Sequence, residues 1–296
     1  MDRVTVSISI SAIVPTLGRS RWLIPCLEAL RRDGGAGLEI IVVDQGEAPV
    51  PFSDIPAGLA DRVLRPGRNL GFAAGTNLGI AEARGGLIAT VNDDALVEPG
   101  WTAALAAALE RDPRAAAAQG VTLLLDDPSR ADGCGLEWNR WWQAVQIGHG
   151  EPAPAPDGPA REVFGVSATV ALFRRDALRA VAPDGSVFDP RLVSYYEDVE
   201  LAGRLRAAGW RALLVPAARA RHAGSTTGAT MARERWSLIY GNRYLAASRH
   251  LGGGFLPRLP WMVLRDLLDL RKADREQTAG IRAGWRRAIR EMPGFR

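Results

Sequence analysis

Residues 8–44 read ISISAIVPTLGRSRWLIPCLEALRRDGGAGLEIIVVD, and this stretch decides the fold. Ile8 to Val14 is an apolar run of the kind that forms a buried strand, and it leads into Pro15-Thr16-Leu17-Gly18-Arg19. Trp22, Leu23, Cys26, Leu27 and Leu30 then recur at helical spacing, which predicts a helix over 20–32. Gly34, Gly35 and Gly37 break it, and Leu38 to Val43 is a second apolar run that ends at Asp44. Strand, helix and strand in this order make a parallel pair with a right-handed crossover. Ligands of such sheets bind beyond the carboxyl ends of the strands, where Pro15, Thr16, Arg19 and Asp44 fall. Asp44 there either accepts hydrogen bonds from a ribose or base edge, or caps its own loop.

The pattern continues outward. Residues 45–60 form a surface loop, and a short strand at 62–64 precedes RPGRNLGFAAGTNLGIAEARG. There Asn69, Gly71, Gly75 and Asn77 flank the opening of a helix that continues to Arg84. Glycines let backbone N–H groups approach a ligand and Asn side chains pair with base or ribose edges, although glycine turns with Asn caps look the same. Leu87 to Val91 is a further buried strand ending in Asn92-Asp93-Asp94. Acids at that edge suit a hard cation, Mg²⁺ or Mn²⁺, which takes one or two carboxylates together with substrate phosphates. A helix over 100–111 and a strand over 115–125 complete the first half. Residues 126–160 lose periodicity but carry Trp138, Trp141 and Trp142, which either stack on a sugar ring or acceptor or serve as core. Val163 to Phe173 reads as one buried strand, followed by a short helix near 174–181.

SYYEDVELAGRLRAAGW at 194–210 places Glu197 and Asp198 at a helix N-terminus, where unpaired N–H groups favour negative charge. Extended pieces follow at 212–215 and 218–222. His222 ends the second beside Ala-Gly-Ser-Thr-Thr-Gly, and its imidazole would make a third ligand for Mn²⁺. A helix is predicted over 230–249, with Asn242-Arg243 on a solvated face. Apolar faces at 256–270 and 281–292, with basic flanks, suit a membrane interface or equally a helical pair packed on its own domain or a dimer mate.

Composition bounds the reading. Apolar residues are 47% and charged residues 24% of 296, which describes a globular chain long enough for a substantial core. No apolar run reaches spanning length, and no signal peptide is expected ahead of the first strand. Cys26 and Cys134 stand far apart without a CxxC pair, which points to a reducing compartment and away from structural zinc. Net charge is +4, and the segment 258–296 is its basic part. Without a nucleic-acid motif beside it, that segment favours a membrane surface over nucleic acid.

Taken together, IVPTLGR, VVDQG, RNLGFAAGTNLG, VNDDA, FDPRLVSYYEDVELAGRLRAAGW and RHAGST resemble glycosyltransferase family 2, in that family's order and over about 8–245. The likeness is to its rhamnosyltransferase-like branch. It implies an α/β fold with a Rossmann-like, mostly parallel sheet flanked by helices (GT-A type). A catalytic domain would span 1–228, divided into a nucleotide-binding half (1–125) and an acceptor half (126–228), with a helical extension over 229–296. It further implies metal-dependent, inverting transfer of a sugar, a hexose or rhamnose, from a nucleoside diphosphate. Asp44 contacts would suit uracil or thymine, hence a UDP- or dTDP-sugar, and the acceptor would be a glycan, a lipid-linked acceptor or a small molecule. Thr16, Asp44 and Asn77 would hold the nucleoside, Asp93 would place the sugar, and Asp94 and His222 would bind the metal. Asp198 would be the base, and Glu197 would orient the acceptor or position Asp198. Acceptor contacts are expected from the tryptophan-rich segment, at Trp138 and Trp142, and from the C-terminal segment. The expected place is the cytoplasm, at the inner face of the membrane. A nucleotidyltransferase would carry a stronger basic glycine-rich loop than VPTLGRSR, and a non-catalytic nucleotide-sugar scaffold would not need the acid, metal and base set.

Overall fold

A computed structural model describes residues 9–46, 55–224 and 232–292. Ile8, much of the 45–60 loop, the Ser225–Gly228 part of the loop after His222, and Thr230 lie outside the described residues. β1 (Ile10–Thr16) pairs in parallel with β2 (Leu38–Asp44), from Ile10 opposite Leu38 to Thr16 opposite Asp44. α1 (Leu23–Gly34) makes the crossover and buries Leu23, Cys26, Leu27, Ala29 and Leu30. It starts three residues later than predicted because Ser20 is spent on a turn: its Oγ accepts from Trp22 N–H at 3.2 Å and donates to Asp93 O at 3.3 Å. β3 (Arg62–Leu64) extends the sheet beyond β2, and α2 (Gly71–Glu82) returns the chain to β4 (Leu87–Val91), on the other side of β1.

A short β5 (Ala95–Val97), not foreseen, precedes α3 (Trp101–Arg111) and β6 (Ala115–Leu124). The aperiodic 126–160 region contains β7 (Ala131–Gly133), β8 (Leu136–Trp138) and β9 (Ala144–Gln146). The apolar run Val163 to Phe173 is not one strand. β10 (Arg161–Val163) lies on the sheet edge, and β11 (Val170–Arg174) runs antiparallel between β4 and β6. The residues between leave the sheet because other partners take their backbone groups. Gln119 Oε1 accepts Ser167 N–H at 2.7 Å, Asp198 Oδ2 accepts Ala168 N–H at 3.3 Å, and Asn92 N–H donates to Thr169 O at 2.8 Å.

α4 (Arg175–Val181) and α5 (Glu197–Ala207) follow. β12 (Arg211–His222) unites the two extended pieces, with a register shift against β6 between Leu214 and Arg219. Pro216 falls in that interval, and proline has no N–H to give a ladder.

The spatial order is β10-β12-β6-β11-β4-β1-β2-β3, in which β12 and β6 are parallel on one side of β11, β4, β1, β2 and β3 are parallel on the other, and β10 is antiparallel at the edge. Both faces are covered. Ala12, Val14, Ile40 and Val42 meet α1 and α3 through Leu27 and Leu105, and Ile13, Ile41, Val43 and Ile88 share the other core with Leu201 and Leu205 of α5. Two buried faces explain why the strands read as continuous apolar runs and not as alternation.

α6 (Ala232–Leu251), α7 (Phe255–Leu270) and α8 (Arg275–Glu291) form the C-terminal helices and share a core with Leu192. Asn242 and Arg243, expected on a solvated face, are 0% and 1% exposed. The helix turns that face inward because its polar groups have internal partners. Arg243 pairs with Asp266 of α7 and donates to the carbonyls of Trp142 (3.0 Å), Trp141 (2.8 Å) and Met262 (3.2 Å). Tyr244 OH and Trp285 Nε1 donate to the same Asp266 carboxylate, at 2.6 and 2.7 Å.

Candidate active site

The carboxyl ends of β1, β2 and β4 lie side by side, as parallel pairing requires, and this brings Thr16, Asp44 and Asn92-Asp93-Asp94 to one edge. Asp44 is 2% exposed. Its Oδ1 accepts Gly46 N–H at 3.1 Å, and Arg65 Nε stands 3.5 Å from Oδ2, which has no hydrogen bond. A buried carboxylate oxygen with acceptor capacity left is where an N–H or O–H of a nucleoside would be taken. Pro15 is buried opposite Val43, and Arg19 is exposed in the loop that follows.

Thr16 Oγ1 donates to Asp93 Oδ2 at 2.5 Å and accepts Gly18 N–H at 2.9 Å. The Asp93 carboxyl is pushed up to about 6, first by burial and then by the charge of Asp94, with the Thr16 bond acting the other way. Beneath the pair, Cys26 Sγ lies 3.4 Å from Asn92 O, and burial together with the two acids keeps that thiol protonated. Both cysteines are free and buried.

Asp94 and His222, far apart in sequence, meet: Oδ1 and Nε2 are 3.2 Å apart. Antiparallel pairing of β12 with β5, with His222 opposite Ala95, brings them together. Asp132 of β7 accepts from the other ring nitrogen at 2.9 Å, aiming Nε2 at Asp94. Burial opposes charge on this imidazole, but the hydrogen bonds to Asp132 and Asp94 outweigh it and push the pKa up to about 9. Among the described residues no group of three or more His, Cys, Asp or Glu is arranged to hold a metal. The donors present still fit a hard cation that takes its remaining ligands from a diphosphate and water. A separation of 3.2 Å is close to that of adjacent ligands around an octahedral ion at ~2.1 Å, and a carboxylate behind the histidine is the usual support of such a ligand.

Glu197 and Asp198 open α5, as predicted. Asp198 Oδ1 accepts its neighbour Val199 N–H at 2.8 Å, and Oδ2 accepts Ala168 N–H. Through Ala168, Thr169 and Asn92 this carboxylate is only a few bonded contacts from the Asp93-Asp94 pair. Burial raises Asp198, with those N–H groups pulling the other way. Burial and the charge of Asp198 together raise Glu197 well above the usual range. Glu197 Oε2 is buried without a hydrogen bond.

Asn69, Gly71 and Asn77 are engaged elsewhere. Asn77 donates to Phe188 O at 2.7 Å and accepts Phe188 N–H at 2.9 Å, so both ends of its amide clamp the chain ahead of α5. Gly71 abuts Val193, and Asn69 Oδ1 caps Gly71 N–H at 2.8 Å. Trp138 lies among Trp142, Tyr196, Phe164 and His250, with ring centres 6.0–6.2 Å away. Arg258 of α7 covers Trp142 at 5.0 Å. Sequence reading missed Asp132, Gln45 and Asn242. Gln45, directly after Asp44, holds Leu70 N–H at 2.9 Å, and only its place at a strand end marks it.

The model of Glycosyl transferase family 2 matches residues 11–181, more than half of the chain. The chain belongs to glycosyl transferase family 2. It is 33% identical over 102 residues to an uncharacterized glycosyltransferase, YwdF, of Bacillus subtilis (strain 168), covering 34% of this chain and 38% of that protein. An uncharacterized protein y4gI of Sinorhizobium fredii (strain NBRC 101917 / NGR234) is 26% identical over 228 residues, 72% of this chain and 24% of its own. The chain thus spans well under half the length of these relatives. Among solved structures it resembles GalNAc-T7 with UDP, GalNAc and Mn²⁺ (TM-score 0.58, 15% identity, 82% of this chain and 50% of that one). It also resembles the mannosyltransferase PcManGT from Pyrobaculum calidifontis in complex with GDP-Man and Mn²⁺ (TM-score 0.56, 17% identity, 95% and 86%). At these identities the likeness is one of fold, the mostly parallel glycosyltransferase sheet with helices on both faces.

Proposed function

We propose that the protein is an inverting glycosyltransferase, of the rhamnosyltransferase-like branch, that moves a hexose or rhamnose from a UDP- or dTDP-sugar to an acceptor hydroxyl. The observation that carries this reading is the junction of Asn92 N–H with Thr169 O and of Ala168 N–H with Asp198, which ties a buried carboxylate to the edge bearing Asp93, Asp94 and His222. Asp44 takes the nucleoside, with Thr16 beside it, and Asp93 holds the sugar. Asp94 and His222 would hold a divalent cation, Mn²⁺ or Mg²⁺, whose charge eases departure of the diphosphate. The acceptor oxygen forms a bond to the anomeric carbon from the face opposite the diphosphate, which leaves with the bonding electron pair, and Asp198 takes the hydroxyl proton. A carboxylate raised by burial is the stronger base for that proton once ionised. The acceptor, a glycan, a lipid-linked glycan or a small molecule, lies against Trp138 and Trp142.

The working place in this reading is the cytoplasmic face of a membrane. No helix among the described residues is long and apolar enough to cross one. Contact is instead assigned to α7, where Leu256, Pro260, Leu264, Leu267 and Arg271 recur at spacings of three and four, all exposed, with Trp261 and Lys272 beside them. Both acids of α7 turn elsewhere: Asp266 into the core, and Asp269 to Arg265 and Tyr240. An apolar, tryptophan-bearing face with cations and no acid matches an anionic lipid surface. A second copy of the chain would bring like charges together.

Titration calorimetry of UDP, dTDP and GDP with and without Mn²⁺ tests the donor half. Metal-dependent binding of UDP or dTDP that Asp94→Ala removes is expected, and no binding of any of them would sink the reading. Asp198→Asn is expected to bind donor normally and transfer no sugar. Near-wild-type transfer by that variant would take the base role from Asp198.

A further inference from the structure

Residues 192–196 carry the chain into α5, and three of them have backbone angles that side chains disfavour: φ is 61° at Val193, 67° at Tyr195 and 68° at Tyr196. Each costs on the order of 1–3 kcal/mol and persists only where the surroundings over-determine it. Two grips hold this segment. From α2, Ala73 N–H donates to Val193 O at 2.9 Å and Phe72 N–H to Ser194 Oγ at 3.3 Å. From α6, the fully buried Asn242 places Nδ2 at 2.7 Å from Leu192 O, 2.8 Å from Ser194 O and 2.7 Å from Tyr195 O. Three carbonyls converging on one point leave room only for a donor, and an amide nitrogen supplies it by sharing its N–H bonds. Its Oδ1 has no hydrogen-bond partner, so these carbonyls are what the buried side chain is there to meet.

Tyr196 and Glu197 follow directly, so the location of Leu192–Tyr195 sets where α5 begins and where its first carboxylates stand. Tyr196 OH in turn accepts Ala144 N–H, from the aromatic segment, at 3.2 Å. The next residue of α6, Arg243, holds the Trp141 and Trp142 carbonyls. One dipeptide of the C-terminal helices therefore grips both walls of the proposed acceptor side.

We propose that Asn242 is a positioning residue for Asp198, fixing the carboxylate through the strained 192–196 segment without touching substrate. This inference rests on the reading of Asp198 as the base. Misplacing a reacting group by about 1 Å costs on the order of 100-fold in rate. Asn242→Leu keeps the volume and removes the donor. It is expected to lose kcat on that order, while donor KM and the Kd of UDP or dTDP, whichever binds, stay within about twofold. The acid limb of its kcat–pH profile should also move, because the surroundings of Glu197 and Asp198 change with the segment. Asn242→Ser retains one O–H donor with less reach and should fall between the two, about tenfold below wild type. A folded Leu variant with kcat within about threefold of wild type and an unmoved acid limb would overturn the proposal, as would equal losses in donor binding. If the Leu variant does not fold, the Ser variant decides: wild-type kcat and pH profile there sink it. Asp198→Asn measured alongside separates the two failures. An active Asp198→Asn removes the base reading and this inference with it; an inactive Asp198→Asn beside a fully active Asn242→Leu removes only the inference.

Discussion

At Gly71 φ is 79°, and a methyl group there would stand 2.5 Å from Val193 Cγ1 and 2.9 Å from Val193 O. The glycine that looked like a ligand-facing residue thus makes room for the chain ahead of Asp198. Gly71→Ala is expected to cost on the order of 1–3 kcal/mol in urea unfolding and to slow transfer more than it weakens donor binding. Unchanged stability would mean that the 193–196 segment yields easily. Asp189 anchors the same region from the other side, bonded to Arg191 and to Arg249 of α6. Burial opposes its ionisation, but those hydrogen bonds hold its carboxyl down to about 2, below the ordinary 3.8. The stabilisation is therefore complete above pH ~4 and drains away as pH falls towards 2. A shift of that size corresponds to about 2 kcal/mol. Asp189→Asn should lose this at pH 7 and converge on wild type as the medium is acidified, which paired denaturation curves would show; an equal gap at both pH values would refute the assignment. The places of Asp44, Asp94 and Asp198 in the fold were readable because each closes a recognisable local pattern, a strand end or a helix start. Asp132 and Asn242 were not, because their roles consist of partners 90 and about 50 residues away that leave no local trace.

At the scale of elements, hydrophobic period announced the strands and helices, and backbone competition decided where they stop. The run from Val163 to Phe173 is apolar enough for one strand, yet Gln119, Asp198 and Asn92 draw Ser167 to Thr169 out of the sheet. A pattern of apolar residues carries no record of such distant partners. α7 poses the opposite question, since its outward face keeps apolar residues that no described residue covers: Leu256 is 63% exposed and Trp261 58%. If this face docks on anionic lipid, the protein should sediment with phosphatidylserine-containing vesicles, and Trp261 emission should shift to the blue. Leu264→Asp with Leu267→Asp should weaken sedimentation by about tenfold or more, and salt should weaken the wild type. Transfer to a water-soluble acceptor should be unaffected, because neither leucine belongs to the site. Wild-type protein that stays in the supernatant at low salt would exclude the docking.

For the molecule as a whole, the question is whether the C-terminal helices are an appendage, as an extension over 229–296 implied, or part of the machinery. Asn242, Arg243 and Arg249 each reach from α6 to the chain before it, at Ser194, Trp142 and Asp189, and the buried Arg243–Asp266 pair ties that helix to α7. Breaking a buried pair by removing one partner typically costs about 3–5 kcal/mol, because a charge is left without compensation. Removing all three helices would instead free the Leu192, Ser194 and Tyr195 carbonyls, uncover Leu192 and Tyr196, and leave the positive-φ segment without its second grip. A chain ended at residue 228 is therefore expected to lose transfer altogether and to be cut by protease between 190 and 197. Its donor edge, built from β1, β2 and β4, should still bind UDP or dTDP wherever the remaining sheet folds. Transfer by the shortened chain would show that α5 holds its own start. Donor binding without transfer would place the C-terminal helices where the contacts do, behind the base and not behind the nucleotide.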